Sequence, residues 1–366
     1  MQKKIISIIG TVGVPANYGG YETLVDNLIE YIDHTKYEVY IYCSSVSYEK
    51  NLRKKKHKKC NLIYLPLSAN GLSGFFYDNL SALLSTLKSS SIILSLGTAS
   101  ATLFLFIKPL TRAKLIINLD GQDHKREKFK ISIKAMLSII RRAAYFISDH
   151  IIADNEGILE NLPKNTLRKT SLIEYGGDQA LNVYDKRKLI SYGLYTKDYF
   201  FGVARIEPEN NIHTILNAFK YSQEKLVYVG NWENSNYGKN LREKFKKFKN
   251  ILLLNPVYNL YELNNLRSNA KAYIHGHCRG GTNPSLVEAM YTGLLVIAYD
   301  VKFNKFTLKS SGLYFNDTKS LIKAINRCSS EDLNFQKTKI TAIAKKHYTW
   351  NIISQKYNHL FNAISS

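Results

Sequence analysis

Cysteine is scarce and scattered. Cys43, Cys60, Cys278 and Cys328 show no paired spacing, which excludes a disulfide framework and suits free thiols in a reducing cytosol. Long apolar runs are also missing. No stretch reaches the roughly 18–20 residues that a bilayer span requires, so a soluble or peripherally bound protein is expected. The opening "MQKKIISIIGTVGV" carries a short apolar run after two lysines but no small-residue cleavage site, and it reads as a strand entering a glycine turn. Acidic residues are few, 29 Asp and Glu against 51 Lys and Arg, leaving a net charge of +22. Such an excess favours nucleotides, phospholipid surfaces or nucleic acid as partners, unless it is spread over solvated faces. The sequence lacks both the G-x-G-x-x-G spacing and the Gly-Lys-Ser/Thr of a P-loop, so neither NAD nor ATP is supported. With no aromatic-glycine signature of an RNA-recognition sheet and no zinc-finger spacing, nucleic acid is not the expected partner.

What is present is α/β grammar over 366 residues, a length that favours about two domains. Short β-branched runs ("KIISIIG", "YEVYIYC", "NLIYLPL", "SIILSL", "AKLIINL", "HIIADN") alternate with amphipathic helical windows, as in a parallel sheet. In the first window Tyr21, Leu24, Val25, Leu28, Ile29 and Ile32 recur at helical spacing. The pattern breaks near "YGGDQALNVYDKRK" and restarts with "YFFGVAR", "EKLVYVG", "NILLLNP", "KAYIHG" and "LLVIAYD". Two open sheets in tandem bind ligands beyond the carboxyl ends of their strands. The final window sets Trp350, Ile353, Tyr357, Leu360, Phe361 and Ile364 on one stripe, which suits either a last core helix of the second domain or a helix crossing back onto the first.

Two glycine loops each follow a strand and precede a helix, the arrangement that offers free backbone N–H groups to a phosphate. The first runs from Gly13 to Gly20 and the second is "HGHCRGGTNPSLVEAM", His275 to Met290. In the second, Asn283 is the expected N-cap and Pro284 the first helical residue, with Leu286, Val287 and Met290 inward and Ser285 and Glu288 facing the loop. A carboxylate there suits a ribose diol, and a plain capped helix with an exposed Glu is the bland alternative. His275, His277 and Cys278 lack a second ligand pair, so a pocket wall is expected rather than a zinc site. Arg205 ends a strand and presents a fork of donors suited to a diphosphate. After "AKLIINL" come Asp120, Asp123 and His124, candidates for a hydroxylated substrate, with no Asp-x-Asp metal motif. The segment from His124 to Arg142 is dense in lysine and arginine. Lys130, Lys134 and Arg141 share one helical stripe and Ile133, Met136, Leu137 and Ile140 another, as in a helix lying on an anionic membrane or one packed on its own sheet.

In order along the chain, "GTVGVPANYGGYETLVDNL", "VARIEPENNIHTIL", "VGNWENSNYGKNL" and "IHGHCRGGTNPSLVEAM" resemble bacterial retaining glycosyltransferases of family 4, specifically the subgroup of dTDP-rhamnose rhamnosyltransferases of capsule and cell-wall polysaccharide assembly. The resemblance covers essentially the whole chain. It implies a GT-B fold of two Rossmann-like domains facing across a cleft: an acceptor-binding domain over residues 1–180, a nucleotide-sugar domain over 181–346, and a helix over 347–366 returning to the first.

By the same resemblance, Gly19 and Gly20 lie against the donor phosphates and Arg205 pairs with the diphosphate. Gly281, Thr282 and Asn283 offer it backbone donors, Ser285 and Glu288 serve the donor with Glu288 on the ribose, and Pro256, Val257 and Tyr258 sit by the base. Asp120 is the candidate for orienting the acceptor. Beside it the rhamnosyltransferase subgroup carries a Glu-Trp after the Asp-Gly, where this sequence has Gln122-Asp123-His124, so Asp123 and His124 are acceptor candidates from their own loop and not from the resemblance. Two positions depart from the wider family: Gly280 replaces a sugar-binding glutamate, and Asn211, still on the donor side, replaces a lysine. The implied reaction is metal-independent and cofactor-free: a deoxyhexose moves from a dTDP donor to a lipid-diphosphate-linked sugar at the cytoplasmic face of the inner membrane. Arg205 and Glu288 are the donor-side groups essential to it and Asp120 the acceptor-side one. Three alternatives are a UDP- or GDP-hexose donor, a sugar-nucleotide epimerase, and a non-enzymatic basic protein binding membrane or nucleic acid.

Overall fold

The computed structural model describes residues 2–16, 19–119, 121 and 130–365. The chain forms two compact units, one comprising Met1–Glu174 with Trp350–Ser366 and the other Tyr175–Thr349.

The first unit is built on β1 (Lys4–Ile9), β2 (Tyr37–Ser44), β3 (Lys56–His57), β4 (Cys60–Leu65), β5 (Ile92–Leu96), β6 (Lys114–Asn118), β7 (His150–Ala153) and β8 (Thr170–Leu172). Their order across the sheet is β3-β4-β2-β1-β5-β6-β7-β8. Every pairing is parallel except the short β3–β4 hairpin. Ile6, Ile8, Ile92, Ile93, Leu94 and Ile116 are fully buried, as expected of strands covered on both faces. The helix Gly20–Tyr31 buries Leu24, Val25, Leu28 and Ile29, the stripe read from its spacing. The C-terminal helix Trp350–Ser365 packs beside it and buries Trp350, Ile353, Tyr357, Leu360 and Phe361. It is anchored by Tyr37, whose hydroxyl donates to Asn362 Oδ1 at 3.0 Å, and by an ion pair between Lys356 and Glu174.

The second unit carries β9 (Tyr199–Val203), β10 (Lys225–Val229), β11 (Ile251–Leu254), β12 (Ala272–His275), β13 (Leu295–Tyr299) and β14 (Leu313–Phe315), in the order β11-β10-β9-β12-β13-β14 and parallel throughout. Trp232 is fully buried beyond β10 and donates its indole N–H to the Leu254 carbonyl at 2.9 Å. Strands β3, β8 and β14 have two or three residues each, too short to show a period, and for that reason the sequence did not betray them. In each sheet the connections run outward in both directions from one central pair: β1 with β5, and β9 with β12. At such a reversal the loops beyond the carboxyl ends part and leave a crevice.

Candidate functional site: the carboxyl edge of the second sheet

Arg205 and the second glycine loop meet at the β9/β12 reversal. The segment after β9 is folded on itself by Asn210, whose amide donates to the Arg205 carbonyl at 2.7 Å. It is then tied to the segment after β12: Asn211 Nδ2 donates to the Gly276 carbonyl at 2.9 Å and the Cys278 N–H to the Glu209 carbonyl at 3.1 Å. Asn211 sits in the left-handed region at φ 52°, which asparagine tolerates better than most residues. Gly276 has no room for a side chain, because a Cβ there would lie 2.1 Å from the Asn210 carbonyl oxygen. Arg205 itself is exposed.

Beyond this latch the chain opens. Gly280 has φ 120° and no atom within 4 Å of where its Cβ would stand, so the glycine loop presents bare backbone. Asn283 caps the helix Pro284–Tyr291, its Oδ1 accepting from the Ser285 N–H at 3.2 Å, with Pro284 in the first turn. Leu286, Val287 and Met290 are fully buried, as the spacing predicted. Gly281 is half-buried and Thr282 buried.

Ser285 corrects the expected arrangement. Its hydroxyl accepts from Tyr273 at 2.9 Å and donates to Asn283 Oδ1 at 2.8 Å, so both bonds brace the cap against β12 and its one proton is already committed. Glu288 is not an exposed carboxylate on a plain helix either. Its Oε2 pairs with Arg267, a fully buried residue, and its Oε1 accepts from Gln179 Nε2 at 2.7 Å. Arg267 is held in turn by Asn264 Oδ1 at 2.7 Å. Neither partner of Glu288 stood out in the sequence. Gln179 lies in the segment that reads as an interruption between domains, yet Gly177 there packs so closely on the helix that a Cβ would come 2.7 Å from the Val287 carbonyl. Arg267 lies in "NNLRSNAK", and the one available signal was its i,i+3 spacing from Asn264.

The His275 and His277 rings stack on each other, with centroids 4.4 Å apart and planes within 13°. Burial first, and then the neighbouring His277, hold His275 well below the usual imidazole range. Pro256, Val257 and Tyr258 follow β11 at the edge of the sheet, with Tyr258 65% exposed.

In the first unit, Gly19 caps the helix Gly20–Tyr31 at φ 126°, and the loop is filled by Glu22. Glu22 Oε1 accepts from Thr11 Oγ1 at 3.0 Å and the Val12 N–H at 2.7 Å, and a Cβ on Gly19 would meet Glu22 Oε2 at 1.9 Å. A carboxylate therefore occupies part of the turn where Gly19 and Gly20 were expected to meet phosphate. Asp26 fixes the same loop from the other side, accepting from the Ala16 N–H at 2.9 Å and contacting His57 Nε2 at 2.7 Å and Lys58 Nζ at 3.0 Å.

Asp120, Asp123 and His124 lie outside the described residues. Within the helix Ile131–Ile147 the expected basic stripe divides. Lys130 is exposed and Lys134 half-buried. Arg141 is buried, and donates Nη1 to the Gly121 carbonyl at 2.9 Å and Nε to the Tyr145 hydroxyl at 2.6 Å. Met136 and Ile139 are exposed at 48% and 67% while Ile140 is buried, so part of the apolar set faces outward. Among the described residues no group of three or more His, Cys, Asp or Glu is placed to hold a metal ion, and no helix is long and apolar enough to cross a membrane.

Two family models match the chain: a domain of unknown function, DUF1972, over residues 3–178, and glycosyl transferases group 1 over residues 190–346. No curated protein sequence matches. Among solved structures, sucrose-phosphate synthase from Thermosynechococcus elongatus is similar with a TM-score of 0.82 at 15% identity, covering 99% of each chain. Anabaena Alr3699/HepE in complex with UDP-glucose gives 0.75 at 13% identity, over 99% of this chain and 100% of that one. The catalytic domain of starch synthase IV from Arabidopsis thaliana bound to ADP and acarbose gives 0.72 at 12% identity, over 100% of both. The fold is GT-B, and within it residues 190–346 match the group 1 glycosyl transferase model.

Proposed function

We propose that the protein is a retaining glycosyltransferase that takes its donor sugar nucleotide at the carboxyl edge of the second sheet and moves a deoxyhexose, rhamnose from dTDP-rhamnose, to a lipid-diphosphate-linked sugar. The observation that carries the donor site is the latch joining the Arg205 segment to the glycine loop through Asn211 and Gly276. It ties the segment that carries the exposed Arg205 to the one that carries the bare glycine loop and the capped helix start, a combination suited to a diphosphate. Glu288 supports the ribose contact, since a carboxylate has about four acceptor sites and Arg267 and Gln179 occupy two of them. Tyr258 offers a face to the base.

In this reading the acceptor oxygen attacks the anomeric carbon on the side from which the diphosphate departs. The bond from that carbon to the leaving oxygen breaks, and the hydroxyl proton passes to the departing phosphate. Arg205 and the backbone N–H groups at Gly281 to Asn283 meet the developing charge. Asp120 orients the acceptor. A UDP-hexose is the second donor reading, favoured by the UDP-glucose named with the Anabaena structure.

The lipid-linked acceptor implies work at an anionic membrane surface, and the outer helices of the first unit support it. Helices Gly71–Leu87, Ala101–Ile107 and Ile131–Ile147 lie side by side and expose Leu72, Phe76, Phe106, Ile131, Ile139 and Phe146 at 65–88%. An apolar face of this kind next to Lys130 and Lys134 suits shallow burial among acidic headgroups.

The deciding experiment is thermal stabilisation by a panel of dTDP-, UDP- and GDP-sugars, followed by transfer to synthetic lipid-linked acceptors. Arg205→Ala is expected to lose stabilisation and transfer while its own melt stays at the wild-type value. An enzyme that altered free nucleotide sugar with no acceptor present would be an epimerase. Tight nucleic-acid binding with no nucleotide-sugar binding would make it a basic binding protein.

A further inference from the structure

The first sheet has its own reversal, between β1 and β5, and a glycine follows each of these two strands. Gly10 has φ 82° and approaches so closely that a Cβ would lie 2.1 Å from the Leu96 carbonyl oxygen, while Gly97 has φ 92° and nothing within 4 Å of its Cβ position. The helix Gly71–Leu87 makes the crossover from β4 to β5. Its second turn is fixed to both walls of the reversal. Tyr77 donates to the Thr11 carbonyl at 2.9 Å and the Tyr42 carbonyl at 2.7 Å. Asn79 Oδ1 accepts from Thr102 Oγ1 at 2.8 Å and the Leu103 N–H at 3.1 Å.

Between these two clamps stands Asp78. At helical spacing it shares the face of Gly74, Ser81 and Ser85, all buried, opposite the exposed Leu72, Phe76 and Leu83. Among the described residues no donor reaches its carboxylate and no cation stands by it, and burial alone pushes it up to about 7. Its titratable neighbour is Tyr77, itself raised by burial. Several other carboxylates of this unit have partners. Glu22 holds Thr11 and Val12, Asp26 holds Ala16, His57 and Lys58, Asp149 holds Lys108 and the Leu115 N–H, and Glu174 holds Lys356. A structural carboxylate in such a place acquires partners; an unpartnered one at a sheet reversal is the mark of a ligand contact.

We propose that Asp78 is an acceptor-binding residue, its carboxylate receiving the hydrogen bond of a sugar hydroxyl held in the β1/β5 crevice. Because the chain carries +22, a cationic ligand is disfavoured and a neutral hydroxyl is the donor class that fits. The inference rests on the glycosyl-transfer reading above.

Its test uses the full chain with dTDP-rhamnose and UDP-glucose as donors and octyl glucoside and octyl rhamnoside as acceptors. Asp78→Asn is expected to raise the acceptor KM by about tenfold or more, the loss of a charge-assisted hydrogen bond, with nucleotide affinity and melting temperature held. Wild-type acceptor KM is expected to fall as pH rises through about 7, and the asparagine variant to lose that step. An unchanged acceptor KM with an unchanged pH step overturns the proposal. Should the wild type transfer no sugar in any pairing, the transfer reading fails by itself. The Asp78 carboxyl resonance, followed by carbon-13 NMR during titration with the same glycosides, then decides. A shift absent from Asp78→Asn supports a hydroxyl contact, and a signal indifferent to glycoside overturns it.

Discussion

Arg267, fully buried, pairs through Nη2 with the Oε2 of Glu288, and the two stand on separate helices of the second unit. A buried guanidinium that loses its carboxylate is left charged in a poorly solvated place, so Glu288 has a structural duty beside any contact with a ribose. Glu288→Ala is therefore expected to destabilise the protein by ~3–5 kcal/mol, visible as a clear fall in melting temperature. Glu288→Gln retains the shape and a hydrogen-bond acceptor for Arg267, and should melt between the two while losing most nucleotide-sugar binding. Equal melts for the alanine variant and the wild type would show the ion pair to be dispensable.

Gly276→Ala probes the latch. The added Cβ meets the Asn210 carbonyl oxygen at 2.1 Å, a backbone atom that cannot swing aside, so the segments after β9 and β12 must separate. Nucleotide affinity is expected to fall by about tenfold or more, as when a binding group is misplaced by an ångström, with the far-ultraviolet circular dichroism unchanged. Calorimetric titration of the variant with the best-binding nucleotide reads this directly, and wild-type affinity would remove the latch from the site.

Asp26 ties the first glycine loop to the β3–β4 turn. Burial alone would raise its carboxyl, but hydrogen bonds from the Ala16 N–H, His57 and Lys58, with the Lys58 charge, together outweigh burial and hold it below the usual carboxylate range. A lowered folded value means stability that is present above the unfolded value of about 3.9 and is lost as pH falls through the folded value. Asp26→Asn should cost ~2 kcal/mol at neutral pH, and the gap between variant and wild type should close on acidification below about pH 4. Urea unfolding at a series of pH values measures it; a gap that is constant in pH contradicts the assignment.

Ile131, Ile139 and Phe146 stand out of the helix Ile131–Ile147 at 86%, 67% and 83% exposure. Replacing Ile139 and Phe146 by Ser, or Lys130 and Lys134 by Ser, should each weaken sedimentation with vesicles of phosphatidylcholine and phosphatidylserine, and only the lysine pair should act through the acidic lipid. Arg141→Ser belongs to a different class. Its guanidinium holds the Gly121 carbonyl and Tyr145, so the expected result is a lower melt. Undiminished vesicle binding in the apolar and lysine variants would return this helix to a role within its own unit.

The strands legible in the sequence were those of four residues or more, where the β-branched runs of "KIISIIG" or "KLVYVG" leave little choice of structure. Asn283 and Pro284 were legible because capping is local: the residue type and its position in the turn settle it. Glu288 was found by its place on the helix, but its partners were not, since Arg267 and Gln179 arrive from distant segments and no short-range period announces a buried ion pair. Ser285 and Arg141 went astray for a related reason. Helical phase says which face a side chain leaves from, and a hydroxyl or a long guanidinium then turns to the nearest unsatisfied group, here Tyr273 with Asn283 and Gly121 with Tyr145. Asp78 was passed over because a single carboxylate among small and apolar residues carries no motif. Its distinction is the lack of a partner among the described residues, which only three-dimensional neighbours reveal.

The sequence has two tryptophans, Trp232 in the second unit and Trp350 in the first, and both are buried. Each unit thus carries its own optical label. With Trp350→Phe the remaining emission reports the unit that holds the Arg205 latch, and with Trp232→Phe it reports the unit that holds Asp78. The order in which the two halves melt, and the half that a given nucleotide or glycoside protects, can then be read from fluorescence alone without attaching a dye.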